Sequence, residues 1–305
     1  MLIRHLSFFA TLAREKHFAR TAEICNVTQP TLSIAIRKLE NDLGVPLVRR
    51  GHRYVGLTPE GEKALVWARQ ILSDFASMRE EIATVKGGLT GALRLGVVPA
   101  AMPAIAFLTA SFSAAHPGVA IDIQSLTSRM IQRGLDAFDL DAGVTYLKSE
   151  PLENVRSLPL YDERYVFVTQ KDKPCARANA IAWADAAKEK LCLLSDDMQN
   201  RRILDRLAQS IGIKITPPIV CNSFLGVCSH LRCADFASIV PHTFFNVFGA
   251  APDLVGLDLI EPRHAQAIGL VVADRDPASP LVTALVSCCR QLDLENRLGA
   301  GVSGH

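Results

Sequence analysis

The sequence has few aromatic residues and lacks the long apolar run that a membrane helix requires. Phe, Trp and Tyr make up 6% of its 305 residues, whereas 49% of all residues are hydrophobic, a balance that favours an α/β protein. No stretch of about 18 apolar residues is present. The first residues have helix-spaced apolar side chains and lack a signal-peptide core followed by a cleavage site. We therefore expect a cytoplasmic protein with no membrane partner.

Sequence motifs of the common enzyme classes are also missing. We find no GxxxxGK[ST], no GxGxxG after a strand, no HExxH and no GxSxG. The carboxylate pair Asp196-Asp197 lies on a predicted loop, where helix capping explains it. The sequence therefore predicts no enzyme, no catalytic residue and no cofactor.

The eight cysteines form no CxxC pair. Cys221, Cys228 and Cys233 cluster in one strand–helix segment, with His230 between the last two. A structural zinc site needs four ligands at closer and more regular spacing, and a redox switch needs a low-pKa thiol with a partner in reach. We interpret the thiols as structural and predict no metal ligand, with redox sensing as an alternative.

Charge is distributed unevenly along the chain. Residues 1–57 hold nine Lys and Arg against four acidic residues, whereas residues 58–305 hold 24 basic and 27 acidic residues. A basic N-terminal module on a mildly acidic body is the pattern of a DNA-binding domain joined to another domain. The expected partner of the N-terminal module is double-stranded DNA.

The stretch from Phe18 to Thr58 predicts a helix-turn-helix followed by a two-stranded wing. A short first helix ends at Cys25-Asn26-Val27, where Asn26 tolerates the left-handed backbone of a tight turn. Thr28 is an N-cap for the second helix, and Pro30 fits its first turn. One face of that helix is apolar at helical spacing, and the other carries hydrogen-bonding and basic residues that suit a major groove.

Ten residues of this stretch are the candidates for DNA contact. The exposed face of the recognition helix provides those for base edges: Gln29, Thr31, Ser33, Ile34 and Arg37. The helix start and the basic wing provide those for the phosphate backbone: Thr28, Lys38, Arg49, Arg50 and Arg53.

A long amphipathic helix follows the wing. Thr58 caps it, and Pro59 stands at its first position. Apolar residues continue from Leu65 to Val85 at helical spacing, a stripe longer than the small wing domain can bury. The sequence therefore predicts a two-fold dimer through this helix. An ordinary amphipathic helix packed on its own domain is the alternative.

The remaining sequence predicts two α/β lobes. Buried strands alternate with helices from Leu93 to Val144, which indicates a parallel, doubly wound sheet. A second such unit starts near Tyr165, and the segment from Ala265 to Ala273 is expected to cross back to the first. Gly87-Gly88 marks the hinge before the lobes.

Ligands of such sheets bind beyond the carboxyl ends of the strands, in the crevice between lobes. The turns at those ends supply the candidate effector-binding residues: Pro99, Ala100, Ala101, Met102, Ser125, Thr127, Ser128, Ser195, Asn222, Ser223 and Phe224. Helix capping explains each Ser and Thr as well as ligand binding does. The expected ligand is a small-molecule effector.

The N-terminal 88 residues resemble the winged helix-turn-helix and linker helix of the LysR-type transcriptional regulators. The residues that carry the resemblance are Phe18, Ala22, Thr28-Gln29-Pro30, Ser33, Leu39-Glu40, Leu43-Gly44, Leu47, Arg50 and Leu57-Thr58-Pro59-Glu60-Gly61. Val48 and Thr21 depart from the family pattern, where Phe and Ala are usual. The two lobes resemble the family's effector domain, itself similar to periplasmic solute-binding proteins.

This resemblance implies a promoter-binding regulator assembled as a homodimer and then a homotetramer, with RNA polymerase as a further partner. It implies a DNA-binding domain at 1–58, a linker helix at 59–88 and an effector-binding domain at 89–305. Lobe I then spans about 92–162 with 268–295, and lobe II about 163–267. The effector half is similar to regulators associated with formate metabolism, which implies a small anion such as formate.

Two other interpretations stay open. The first is a regulator that senses redox state through its thiols. The second is a cytoplasmic solute-binding or enzymatic α/β protein that uses its N-terminal domain only to dimerise. Sequence-specific DNA binding would separate the predicted regulator from the second alternative.

Overall fold

A computed structural model describes residues 2–50, 54–233, 235–245 and 253–299. The chain divides into two compact units: the first comprises the residues up to Thr90 with Asp136–Asp139, and the second comprises the rest. Among the described helices, none combines the length and apolar character that a membrane crossing requires.

The first unit is a winged helix-turn-helix with a long helix attached. Its elements are, in chain order, α1 (Leu2–Glu15), α2 (Phe18–Ile24), α3 (Gln29–Leu43), β1 (Val48–Arg50), β2 (Tyr54–Leu57) and α4 (Pro59–Gly87). Their apolar faces form one core around Phe9, Leu12, Leu32, Ile36 and Leu39. The predicted order of elements is therefore the observed one.

Local signals in the sequence account for the turn and the start of α3. Asn26 has φ 51°, the left-handed conformation that a tight turn needs and that Asn tolerates. The Thr28 side chain accepts a hydrogen bond from the Thr31 backbone N–H. Gly44 ends the helix with φ 72°, as left-handed glycine C-caps do.

The Thr58-Pro59-Glu60-Gly61 turn fixes the start of α4 on the wing. The Thr58 hydroxyl donates to the Pro46 carbonyl at 2.7 Å and accepts from the Gly61 N–H at 2.9 Å. A Cβ at position 61 would lie 2.0 Å from the Leu47 carbonyl oxygen, so only glycine permits this approach. The turn therefore positions both the wing and the long helix.

The second unit is a two-lobed α/β domain. Its strands are β3 (Gly91–Val97), β4 (Val119–Ser125), β5 (Ala142–Tyr146), β6 (Val155–Gln170), β7 (Ala180–Ala182), β8 (Cys192–Leu194), β9 (Ile219–Cys221), β10 (Ser238–Pro241), β11 (Leu254–Ile260) and β12 (Ala265–Ala273). Its helices are α5 (Met102–Ala115), α6 (Ser128–Asp136), α7 (Trp183–Ala186), α8 (Gln199–Ser210), α9 (Phe224–Cys233), α10 (Pro280–Gln291) and α11 (Leu294–Gly299), with 3-10 turns at Pro99–Ala101 and Pro174–Arg177.

The main sheet is mixed, whereas the sequence indicated a parallel one. Strands run in the order β4-β3-β5-β12-β6-β11-β7, with β10 also paired to β6. The β3 strand is parallel to β4 and β5, as predicted. The returning β12 strand is antiparallel to both β5 and β6. The two lobes therefore share the long strands β6 and β12, and β12 is the segment that was predicted to cross back to lobe I.

A separate two-stranded sheet lies in lobe II. Its strands β8 and β9 are parallel, and α9 packs with them in an apolar cluster that includes Leu194, Val227 and Leu231. The β9–α9 turn reaches Phe224 at the start of α9. This arrangement brings the end of a strand to the lobe boundary.

Candidate functional site

The exposed face of α3 carries the predicted base-contacting residues. Thr28, Gln29, Thr31, Ile34, Arg37 and Lys38 are exposed, and Ser33 is half-buried. Leu32, Ala35, Ile36 and Leu39 on the opposite face are buried. Ile34 is 66% exposed, so an apolar side chain stands in the middle of a polar face, where it could contact a thymine methyl group.

The wing presents one described basic side chain and is fixed to α3 by a carboxylate. Arg49 is exposed; Arg50 ends β1 but its side chain lies outside the described residues, as does Arg53. Glu40 on α3 accepts hydrogen bonds from the backbone N–H groups of Leu47 and Val48, at 2.9 and 3.1 Å. Sequence reasoning missed this role, because nothing in the spacing of residues 40 and 47 signals it.

The long helix α4 has two apolar faces, not the single stripe expected. Leu65 and Ala68 are buried in the core of their own unit. A second stripe, at intervals of three or four residues, is exposed: Trp67, Ile71, Phe75, Met78 and Ile82. We call these five residues the α4 stripe. Trp67 belongs to the α4 stripe, although it was not among the apolar residues predicted to form the stripe.

An apolar cavity of about 230 Å³ lies between the two lobes. Lobe I contributes Pro99, Ala100, Met102 and Pro103, from the end of β3 and the start of α5. Lobe II contributes Phe224, Pro241, Thr243 and Phe244. The Thr243 hydroxyl donates to the Ala100 carbonyl at 3.4 Å, across the boundary between lobes. None of these lining residues is charged.

A small polar cavity adjoins the first and shares Pro99 and Ala100 with it. Thr127, Ser128, Tyr146, Gln199 and Asn200 also line it. The Ser128 hydroxyl donates to Gln199 Oε1, whereas Gln199 Nε2 is buried without a hydrogen-bond partner among the described residues. A buried donor without a partner is costly, so a ligand atom that accepts a hydrogen bond would relieve that cost.

The predicted effector residues thus fall into three groups. Pro99, Ala100, Met102 and Phe224 line the apolar cavity, and Thr127 and Ser128 line the polar one. Ala101 is fully buried beside them, whereas Ser125, Asn222 and Ser223 are exposed. Ser195 donates to Asp197 on its own loop. Four lining residues were not predicted: Pro103 on α5, and Pro241, Thr243 and Phe244 at and after the end of β10. Because β10 is antiparallel to β6, its end is not a strand end of a parallel sheet.

A buried carboxyl group lies at the centre of a polar cluster behind the cavities. Glu163 on β6 accepts from the Tyr146 hydroxyl at 2.6 Å and from the Asn200 side-chain N–H at 3.4 Å. Burial raises the pKa of Glu163 to about 8, so this carboxyl is neutral at physiological pH. Burial and the neighbouring Glu163 also raise the pKa values of Tyr146, Tyr161 and Tyr165.

Two arginines of α8, Arg202 and Arg206, form ion pairs with Glu150 of lobe I and so connect the two lobes. Arg202 on α8 donates two hydrogen bonds to the Glu150 carboxylate, at 2.8 and 2.6 Å. These bonds hold the pKa of Glu150 below its usual value, and the same carboxylate holds the pKa of Arg202 above its own. A bidentate Arg–carboxylate pair fixes orientation as well as distance, so it supports the observed lobe geometry.

Comparisons with known proteins agree on one family. The model of the LysR substrate binding domain matches residues 86–293, and that of the bacterial regulatory helix-turn-helix protein, lysR family, matches residues 3–62. The DNA-binding transcriptional dual regulator OxyR of Escherichia coli (strain K12) is 32% identical over 306 residues, which cover 100% of this chain and 97% of that protein. A hydrogen peroxide-inducible genes activator of Escherichia coli O6:H1 gives the same values.

Solved structures share the whole fold. A full-length OxyR variant from Pseudomonas aeruginosa has a TM-score of 0.78 at 23% identity, and the match covers 97% of both chains. Full-length CbnR complexed with its target DNA has a TM-score of 0.67 at 19% identity, over 95% of this chain and 99% of that one. The chain belongs to the LysR family of bacterial transcription regulators, DNA-binding proteins and not enzymes, which join a helix-turn-helix to an effector-binding domain.

Proposed function

We propose that this regulator binds promoter DNA as a homodimer, assembles further into a homotetramer, and acts in the cytoplasm with RNA polymerase. The observation that carries the proposal is the exposed polar and basic face of α3, next to a basic wing. Two-fold assembly places two such faces on one side of the DNA, so that each reads one half-site.

Gln29 at the start of α3 is expected to read a base edge, because its exposed amide can form two hydrogen bonds to adenine. Gln29→Ala should therefore lower discrimination at one position of each half-site by about 1–3 kcal/mol. Competition binding over singly substituted operators measures the effect. An unchanged preference at every position would remove Gln29 from the reading face.

Arg49 on the wing is expected to contact the phosphate backbone. Arg49→Ala should weaken binding to specific and random DNA alike, and reduce the salt slope by about one. Arg133→Ala, the same charge change at an exposed position of the second unit, is the control and should change neither. A selective loss of specific binding would contradict a phosphate role.

The α4 stripe is the proposed dimer interface. Its five large apolar side chains are exposed on one face of a 29-residue helix, and an apolar stripe at this spacing packs well against its own copy. The double substitution of Phe75 and Met78 by glutamate tests this proposal.

The interlobe cavity is the proposed effector site, and its ligand is a small, neutral, largely apolar molecule with one hydrogen-bond acceptor. The apolar lining and the absence of charged side chains among the lining residues support a neutral ligand. The unpartnered Gln199 Nε2 supports the acceptor. A small anion such as formate, which the sequence resemblance implied, is the competing effector and would rely on backbone N–H groups.

Matched small molecules distinguish the two classes of effector. Cyclohexanone should raise the unfolding temperature and bind with measurable heat, whereas cyclohexanecarboxylate and formate should not. Ala100→Leu should abolish the cyclohexanone effect by filling the cavity, while Ala106→Leu, on the exposed side of α5, should preserve it. Stabilisation by formate that Ala100→Leu removes would favour the anionic effector.

Thiol-based redox sensing is the second candidate function. It is favoured by the similarity to the hydrogen peroxide-inducible activators and by the 3.8 Å between the Cys192 and Cys221 sulfurs. Burial raises the pKa of Cys192 and of Cys228, which lowers the thiolate fraction that peroxide attacks. If this second function holds, stoichiometric hydrogen peroxide will remove two thiols and change the DNA affinity; an unchanged thiol count, which the raised pKa values favour, would exclude it.

A further inference from the structure

Two cysteines and a histidine that lie far apart in sequence meet in lobe II. Cys192 is on β8, Cys221 on the neighbouring strand β9, and His230 on α9. The Cys221 sulfur is 3.8 Å from the Cys192 sulfur and 3.9 Å from His230 Nδ1. One ligand atom from each of the three residues lies within 4.8 Å of both others.

These distances fit the ligands of one tetrahedral metal ion. Two sulfurs bound to zinc at about 2.3 Å in tetrahedral geometry lie about 3.8 Å apart, which is the observed separation. A sulfur and an imidazole nitrogen lie slightly closer in such a site, so a small movement of His230 completes the geometry. The Cys228 and Cys233 thiols, which looked closest to His230 in the sequence, take no part.

The backbone around the cluster allows this approach. A Cβ at Gly226 would lie 3.2 Å from the Cys221 sulfur, so glycine gives that sulfur room against α9. His230 Nδ1 is 2.7 Å from the Gly226 carbonyl oxygen. Metal binding through Nδ1 would exchange this hydrogen bond for coordination and move the ring proton to Nε2.

The donor set selects the class of metal. Two thiolates and one neutral imidazole carry two negative charges, so their complex with a divalent ion is neutral overall. Soft sulfur ligands disfavour magnesium and calcium. Burial raises the pKa of the Cys192 thiol, so this sulfur is protonated before the metal arrives. Cysteine binds a metal ion as the thiolate, so binding would release protons.

We propose that Cys192, Cys221 and His230 form a binding site for a thiophilic divalent cation of the zinc type, with a fourth position open to solvent. Cys192 is buried, whereas Cys221 and His230 are half-buried, so the ion enters beside the latter two. The site joins β8 and β9 to α9. Because α9 begins at Phe224, which lines the interlobe cavity, bound metal would stabilise one wall of that cavity.

The test uses the full-length, reduced and metal-free protein titrated with Co²⁺ and Cd²⁺. Wild type should bind one equivalent and show thiolate-to-metal charge-transfer absorption with Cd²⁺ and tetrahedral visible bands with Co²⁺. Cys221→Ser should remove the charge-transfer band of this site. Loss of an outer-shell partner typically weakens metal affinity by roughly ten- to a hundredfold. Because His230 is a direct ligand in this proposal, His230→Gln should weaken binding by at least that factor.

Cys233→Ser is the matched control, because Cys233 is an exposed cysteine on the same helix. It should keep the full spectrum and affinity, and circular dichroism should show that all variants are folded. A wild-type spectrum that survives Cys221→Ser, or that disappears in Cys233→Ser, would overturn the proposal. So would a wild-type protein that binds no equivalent of either metal while its thiols remain reduced. DNA binding is not used as the readout, so the outcome is independent of the proposed function.

Discussion

Replacing Phe75 and Met78 together by glutamate is expected to convert the proposed dimer into a monomer and to weaken operator binding by about a hundredfold or more. Both side chains belong to the α4 stripe, and they are 37% and 48% exposed in the single chain. The two substitutions add four carboxylates to a two-fold apolar interface, where they would be buried without partners. Their desolvation costs more free energy than burial of the apolar interface provides. A monomer has only one recognition helix, so it loses the increase in DNA affinity that comes from binding two linked half-sites, which is typically 10²–10⁴-fold.

The matched control is Ala76→Glu, an exposed position on nearly the opposite face of the same helix. It adds the same charge but should leave the dimer and its DNA affinity intact. Sedimentation equilibrium gives the assembly state, and fluorescence anisotropy gives the affinity. A double variant that stays dimeric would show that the subunits meet through another surface.

Glu163→Gln is expected to make the second unit more stable at alkaline pH and to flatten its pH dependence. The amide keeps an oxygen that can accept from Tyr146 and Asn200, and it removes a buried group that can ionise. Because burial raises the pKa from 4.5 to about 8, the native protein holds a proton over a range where the unfolded chain has released it. The contribution of Glu163 to wild-type stability is therefore full below the unfolded pKa, falls as the pH rises toward about 8, and then levels off.

The difference between the two pKa values corresponds to an effect on the order of 5 kcal/mol, at about 1.4 kcal/mol per pKa unit. Urea unfolding between about pH 5 and pH 9 measures it in a Trp67→Phe background, where the tryptophan fluorescence comes from Trp183, which is buried in the second unit. Glu189→Gln, an exposed carboxylate change, should keep the wild-type slope. An equally steep slope in Glu163→Gln would show that other groups cause the dependence.

The DNA-binding half could be predicted from sequence because its signals are local. The caps at Thr28 and Thr58, the left-handed Asn26 and the period of the apolar residues all lie within a few residues of the structure that they determine. Local signals also mark the ends of the strands at Val97 and Cys221. Part of the cavity lining could therefore be predicted from the turns that follow these strands.

The polar cluster and the cysteine site could not be predicted, because their members are distant in sequence. Glu163 meets Tyr146 and Asn200 across 17 and 37 positions, and Cys192 meets Cys221 across 29. The first half of β6, which contains Pro159 and several charged residues, also escaped prediction, because the second unit was expected to start near Tyr165. Strand pairing with β12 overrides those local preferences.

Selection of binding sites from random DNA by the purified, full-length protein tests the central claim most directly. If α3 reads DNA from a two-fold dimer, the selected sequences will contain two inverted half-sites separated by one helical turn, about 10 base pairs, or by a multiple of it. Gln29→Ala will select the same spacing with one position of each half-site relaxed. A selection that enriches no sequence, or enriches single half-sites without symmetry, would contradict the account.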